Sequence, residues 1–385
     1  MSSARISDHF LRLTDPRRGK VTHPLINLVT IALCGTIAGA DDFVTMVAWA
    51  RQHEPWLAQF LDLTNGIPSH DCLNMLFRRL KPEEFERCLL SWLAALHDTC
   101  GGKLVAIDGK TLRRPFDKAT ARSALHLVSA WAVSQKLSIG GVAVPGKSNE
   151  ITAIPELLKL IEISGAIVTI DAMGCQADIA KAIDAMGCQA DIAKAIVAGG
   201  GDYILALKGN QPTLHEGVVE HFLGHMGDDF ARVEVSRHET KEEGHGREEH
   251  RTYYVLDVPE GLPDARRWKG LKQVGMAVSQ TVRGGKACDD VRYFLLSEKL
   301  SARRFGTLVR SHWGIENSLH WQLDVSFGED QSRTRKDHAA ANLGGLRRTA
   351  LSLLGRQTSE KVGIKNRRLI AGWNTDYPRK VLFGE

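Results

Sequence analysis

The chain has no apolar run approaching the roughly 20 residues that a membrane-spanning helix requires. Its most apolar stretch, residues 25–40, is interrupted by Asn27, Thr30, Cys34 and Gly35 and predicts a buried helix. The opening Met-Ser-Ser-Ala-Arg-Ile-Ser-Asp lacks the apolar core of a secretory signal. Cysteines are few and scattered: the seven, at 34, 72, 88, 100, 175, 188 and 288, form no Cys-x-x-Cys pair and no zinc-ligand spacing. Lys147 follows Pro145-Gly146, but the Gly-x4-Gly-Lys-Ser/Thr loop that cradles phosphates is missing, and so is the His-Glu-x-x-His pattern of a zinc protease. These absences argue against a membrane protein, a secreted disulfide scaffold, a zinc finger and a P-loop nucleotide enzyme. What they leave is a cytoplasmic protein with reduced thiols.

Composition is otherwise ordinary: 385 residues, 43% hydrophobic and 25% charged, enough for two or three domains with real cores. The net charge of +5 is unevenly placed. Residues 301–385 carry 15 Lys or Arg against 8 Asp or Glu, a balance of +7, so the other 300 residues sum to −2. A basic excess confined to the last quarter suits a polyanionic partner, and equally a solvated basic tail.

Residues 1–100 predict a helical N-terminal domain, with apolar positions at helical spacing over 25–43, 47–63 and 85–96 and with Ser69 or Asp71 as a helix cap. The pattern then changes to strands at 104–108, 126–135 and 137–144. A helix over 153–163 follows, with Pro155 in its first turn, then a strand ending at Asp171, a helix, and a strand over 203–207. The predicted class is α/β, and the order β-β-β-α-β-α-β-α is that of a ribonuclease H-like core. Its first part spans 101–211. Residues 212–298 predict an inserted, mainly β module with strands at 231–235, 252–258, 274–281 and 291–296, and the charged tract 237–251 reads as a solvated hairpin loop. Residues 299–385 complete the core. The helical domain, which has no clear helix-turn-helix signature, is expected to serve DNA binding or dimer contacts.

Residues 170–182 (IDAMGCQADIAKA) recur without change at 183–195, a tandem identity that matches no solenoid period. Thirteen residues at about 100° each turn the following helical face by about −140° and add roughly 20 Å. A single continuous helix through both copies would therefore aim its apolar face away from the sheet, so a break is expected near Met186-Gly187.

Chemistry concentrates in three carboxylates. Two apolar strands run straight into aspartate, Leu104-Val-Ala-Ile-Asp108 and Ile167-Val-Thr-Ile-Asp171, and Glu316 lies in a downstream helical tract rich in tryptophan. A strand ending in aspartate is often only a turn or helix cap. Two of them on neighbouring strands repel unless a cation neutralises them. Oxygen-only ligands favour Mg²⁺ or Mn²⁺, and two such ions can activate a hydroxyl and stabilise a leaving oxygen in phosphodiester chemistry. Ile315, Leu319 and Leu323, with Leu308, form an apolar stripe with Glu316 at its polar margin and His312 and His320 at i−4 and i+4 on its face. The repeat offers a second candidate for the middle carboxylate, Asp184, but helical residues precede it, whereas a strand precedes Asp171.

The tracts His23-Pro-Leu25, Leu33-Cys-Gly-Thr-Ile-Ala-Gly-Ala-Asp41, Gly66-Ile-Pro-Ser-His-Asp71, Ala106-Ile-Asp-Gly-Lys110, Lys147-Ser-Asn-Glu150, Thr169-Ile-Asp-Ala-Met-Gly-Cys-Gln176, Leu205-Ala-Leu-Lys-Gly-Asn-Gln211, His245-Gly-Arg247 and His312-Trp-Gly-Ile-Glu-Asn317 together resemble the H-repeat-associated (ISAs-type) insertion-sequence transposases, a branch of the DDE transposases. The resemblance spans about residues 7–380. It implies a triad of Asp108, Asp171 and Glu316 holding two Mg²⁺ or Mn²⁺ ions, cleavage of element ends, and joining of the freed 3′-hydroxyl to target DNA by a homodimer in a synaptic complex. It also makes Arg247 a phosphate contact, beside Lys208, Arg310 and His312. Related transposases often carry a Tyr-Arg-Glu-Lys signature around the third carboxylate. Here His312 precedes Glu316 by four residues and Leu323 follows it by seven, which leaves Arg310 as the candidate phosphate contact. Two rival readings remain at this level: a nuclease of the same fold that cleaves without joining, and a DNA-binding remnant disabled by the duplication.

Overall fold

Helix α2 (Leu25–Ile37) is apolar on every side, and a helix of that kind is stable only when surrounded. In the computed structural model, residues 28–37 of it are all buried. The structure describes residues 5–96, 104–111, 125–145, 150–171, 189–244 and 247–384. Tertiary contacts divide the chain into two compact units, the first made of residues 1–99, 109–149 and 315–385 and the second of 100–108 and 150–314.

The first unit contains α1 (Ile6–Phe10), α2, α3 (Phe43–Gln52), α4 (Glu54–Leu57), α5 (His70–Arg79) and α6 (Pro82–Leu96). The helix expected over 25–43 ends instead at Ile37: Gly39 takes φ 94°, and Asp42 starts α3 with a capping box to Thr45. The next expected helix also divides, between α3 and α4, with Pro55 in the first turn of α4. Ser69 caps α5 by accepting a hydrogen bond from the Cys72 amide (3.2 Å). Strand β1 (Leu104–Thr111) crosses from the second unit into the first after Asp108. The first unit also holds the antiparallel hairpin of β2 (Leu125–Ala132) and β3 (Leu137–Pro145).

The second unit begins with β1 up to Asp108, followed by α7 (Glu150–Leu160), β4 (Ile167–Ile170), α8 (Ala190–Ala198), β5 (Asp202–Leu207) and α9 (Pro212–Met226). Pro155 stands inside α7 rather than in its first turn, because the helix starts at Glu150. Helix α8 is built from the end of the second repeat copy. Next come β6 (Ser236–Gly244), β7 (Arg247–Asp257), β8 (Gln273–Arg283) and β9 (Lys286–Leu296), then α10 (Ala302–His312). The strand expected at 231–235 is absent. The charged tract read as a hairpin loop is instead a regular ladder between β6 and β7, from Ser236↔Val255 to Gly244↔Arg247.

The sheet of this unit is mixed, in the order β1-β4-β5-β9-β8-β7-β6. β1, β4 and β5 are parallel and β9 pairs antiparallel with β5, so the strands of 236–296 continue the sheet. Helix α10 packs on β4, β6, β7 and β8. Its close approach depends on two glycines: a Cβ on Gly306 would meet the Tyr253 ring at 2.7 Å, and one on Gly275 would meet the Phe305 ring at the same distance.

From Ile315 the chain is back in the first unit, with a π-helical turn (Glu316–His320), α11 (Trp321–Phe327), α12 (Ala339–Arg356), α13 (Ile364–Trp373) and α14 (Asp376–Phe383). Helix α12 is buried nearly end to end and packs on α2, α5, α6 and β3, which makes it the axis of that unit. Among the described residues, no helix is long and apolar enough to cross a membrane.

Candidate active site

Strands β1 and β4 run parallel with Ile107 opposite Ile170, so the next residue on each chain is an aspartate, Asp108 and Asp171. Neighbouring strands lie about 4.8 Å apart, and the two carboxylates leave the same end of the sheet, both only partly exposed. Lys208, also partly buried, follows the last residue of β5 at that same edge. The C-terminal edge of a parallel sheet is the usual place for a ligand in an α/β fold.

The Asp171 carboxylate already has a cationic partner. Arg292 of β9 donates from Nη1 to Asp171 Oδ2 at 3.1 Å, and its Nε donates to Asp290 Oδ2 at 2.7 Å. The guanidinium also lies over the Trp313 ring, 5.4 Å from its centroid. Beneath this group, the Thr169 hydroxyl and His312 Nδ1 share a hydrogen bond of 2.8 Å. His312 is buried, and burial pushes its imidazole below the usual histidine range; the Arg292 charge adds to this and the Asp171 carboxylate opposes it. His312 thus supports the strand that ends at Asp171 and is not a surface group.

Glu316 belongs to the other unit and is exposed on the π-helical turn, while Ile315, Leu319 and Leu323 are buried as the apolar stripe requires. Glu316 does not share an exposed face with its two histidines, since His312 and His320 are both buried. A π turn holds an extra residue, so i±4 neighbours no longer stack, and such turns recur at functional sites. Trp313 and Trp321, on either side of Glu316, are 43% and 53% exposed.

Arg247 and Arg310 fall on one charged network. Arg310 donates to both oxygens of Glu242, with Nη2 to Oε2 at 2.7 Å, and this pairing holds the Glu242 carboxyl below its usual range. Arg251 bridges Glu242 (3.4 Å) and the buried Glu249, which also receives Arg247. Asp184 lies outside the described residues, as do Lys147 and His245.

Two groups escaped the sequence reading. No local pattern marks Arg292, whose partner Asp171 is 121 residues away. In the first unit, Lys110 pairs with Asp324, Glu329 (3.2 Å) and Asp330 (4.0 Å). The Asp-Gly-Lys tract was the available signal for Lys110, but its partners come from far along the chain.

Among the described residues, no set of three or more His, Cys, Asp or Glu converges on one cation position. The donors at the sheet edge nevertheless suit a hard divalent ion. Asp108 and Asp171 offer only carboxylate oxygens, and one of them already attracts a cation of this chain.

Comparison with known proteins adds the lineage. Residues 99–353 match the family model described as "Transposase DDE domain", and residues 7–93 match the one described as "DDE_Tnp_1-associated". The chain is 36% identical over 390 residues to the "H repeat-associated putative transposase YhhI" of Escherichia coli (strain K12), covering 100% of this chain and 99% of the relative. It is 37% identical over 392 residues to the "Putative transposase YncI" of Escherichia coli O157:H7, covering 99% and 95%. Among solved structures, a piggyBac transposase synaptic complex with hairpin DNA aligns over 98% of this chain and 77% of that chain, with a TM-score of 0.40 and 10% sequence identity.

Proposed function

The chain belongs to the DDE transposase family, and from that premise we propose that it cuts the ends of an insertion sequence and joins the freed 3′-hydroxyl to target DNA. The observation that carries this reading is the register of β1 and β4, which sets Asp108 and Asp171 side by side at the C-terminal edge of the parallel strands. In the proposed arrangement the elements β1-β2-β3-α7-β4-α8-β5 with α10 form a ribonuclease H-like core, interrupted by β6–β9. Glu316 supplies the third carboxylate.

Asp108, Asp171 and Glu316 would hold the ions, and two Mg²⁺ or Mn²⁺ bound there would supply the Lewis acidity that activates the attacking hydroxyl and stabilises the leaving oxygen. The protein's own part is placement and charge. Asp108 stands within β1 and Asp171 directly after β4, so the parallel register of the two strands sets where both carboxylates lie. Lys208, Arg247, Arg310 and the basic C-terminal segment contribute positive charge for the DNA backbone. His312, named with them from sequence, is assigned here to holding Thr169 and thereby the end of β4. Phosphodiester chemistry of this kind needs positioning and charge stabilisation and no covalent protein intermediate. The helical residues 1–100 are assigned to DNA or to a second copy of the chain, since joining two element ends calls for two active sites. A DNA substrate of this kind places the protein's work at the bacterial nucleoid.

The repeat favours one rival, a DNA-binding remnant, because the tandem thirteen-residue copies start at Ile170, one residue before Asp171. The test is nicking of DNA carrying the element's own ends in Mg²⁺, comparing the full chain, Asp108→Asn, Asp171→Asn, and a version lacking residues 183–195. Nicking by the full chain that falls at least about 10³-fold in both aspartate variants is expected. Undiminished nicking in either variant would refute the assignment of that residue. Activity only in the shortened version would identify the chain as a disabled transposase.

A further inference from the structure

We propose that Arg292 is the built-in counter-ion of Asp171, that a divalent cation must displace it to bind there, and that the displaced guanidinium turns to the phosphodiester of the DNA. This rests on the reading of Asp108 and Asp171 as metal ligands. Two carboxylates on adjacent parallel strands carry an electrostatic cost that one positive charge relieves, and Arg292 provides it at 3.1 Å. The same charge lowers the apparent affinity of any other cation for Asp171, because binding must first break an ion pair.

Arg292 has anchors that do not depend on Asp171. Asp290 holds Nε at 2.7 Å, and the Trp313 ring lies under the guanidinium. On release the group is therefore retained at the sheet edge. A guanidinium has five N–H donors in a planar fork that fits phosphate oxygens. Its side chain is 28% exposed, so an incoming phosphate can reach it. Register places it correctly as well: β9 pairs with β5 through Leu207↔Tyr293, so Arg292 stands at the edge where β5 gives way to Lys208. Cation and DNA phosphate would then assist each other's binding, and by the same factor in both directions.

The experiment is calorimetric titration of Mn²⁺ into the full chain, into Arg292→Ala and Arg292→Gln, and into Asp171→Asn. The glutamine variant keeps bulk over Trp313, so the comparison does not depend on a truncated side chain. Both Arg292 variants should bind Mn²⁺ more tightly, by roughly tenfold, the factor that corresponds to 1.4 kcal/mol, while Asp171→Asn loses the site. Unchanged or weaker Mn²⁺ binding in both Arg292 variants, with the site still lost in Asp171→Asn, overturns the proposal and leaves the metal-ligand reading intact. Wild-type Mn²⁺ binding by Asp171→Asn removes the metal-ligand reading itself. Fluorescence anisotropy of a short labelled duplex tests the second half: Mn²⁺ should tighten DNA binding more in the wild type than in Arg292→Gln, and equal gains would overturn the turn to phosphate.

Discussion

Replacing Lys110 by methionine should destabilise the first unit strongly, and the loss should depend on pH in a defined direction. The Lys110 side chain is 10% exposed and faces three carboxylates: Asp324, Glu329 at 3.2 Å and Asp330 at 4.0 Å. Glu329 is fully buried, and its other oxygen, Oε1, has no hydrogen-bond partner among the described residues. Methionine fills the same space and removes the charge that pairs with these carboxylates, leaving Glu329 only the nearby Arg347. Removing one partner of a buried pair costs about 3–5 kcal/mol. The lower end applies because Asp324 and Asp330 keep 31% and 23% exposure. For a unit of this size, about 3 kcal/mol lowers Tm by roughly 6–12 °C. Burial raises the Asp324 carboxyl above its usual range even though Lys110 pulls it down, so without Lys110 it rises further. A carboxyl raised in the folded state costs stability as pH climbs through its folded value, and protonation relieves that cost. The deficit of Lys110→Met should therefore be full at pH 8 and shrink towards pH 5. In the wild type, burial pulls the Lys110 ammonium down, but the three carboxylates outweigh burial and raise it. Its stabilisation should persist to about pH 10.5 and fade only as pH rises through the folded value. Thermal unfolding followed by circular dichroism at pH 5 and pH 8 reads both effects. A Tm loss below about 2 °C at pH 8, or one that grows on acidification, would refute the reasoning.

Thr169→Val keeps the shape of the β4 interior and removes the partner of the buried His312, so urea unfolding should show a loss of about 1–3 kcal/mol; an unchanged midpoint would mean that His312 has another adequate partner. Glu242→Gln removes one charge that now neutralises Arg310 and Arg251. DNA binding measured by anisotropy should tighten by about twofold to fivefold, with a steeper salt dependence, whereas weaker binding would show that Glu242 positions Arg310.

How far the sequence could be read depended on distance along the chain. Asp108 and Asp171 were visible because a short apolar run that leads into an aspartate is a local pattern; the structure carries β1 on past Asp108 to Thr111, and the parallel register adds that both aspartates directly follow the last paired residues of β1 and β4. The helical character of residues 1–100 was equally local, although the helix breaks at Gly39 and Asp42 were missed because capping overrode a continuing apolar run. The tract 237–251 misled for the opposite reason: its charges suggested a loop, yet cross-strand contacts such as Arg251 with Glu242 and His250 with Glu239 let a highly charged segment hold a ladder.

By itself the sequence determined the family and the α/β class, and it offered Asp108, Asp171 and Glu316 as candidates, since these follow from residue identity, short-range periodicity and motifs. Only the tertiary structure decided which charges meet. Arg292 reaches Asp171 because β9 joins the sheet beside β5, and Lys110 meets Asp324 and Glu329 across more than 200 residues. His312 became a buried support because α10 seats on the sheet through Gly306 and Gly275. Periodicity reports which face of an element is apolar. The pairing of charges between distant elements is fixed by register and packing, which no single segment contains.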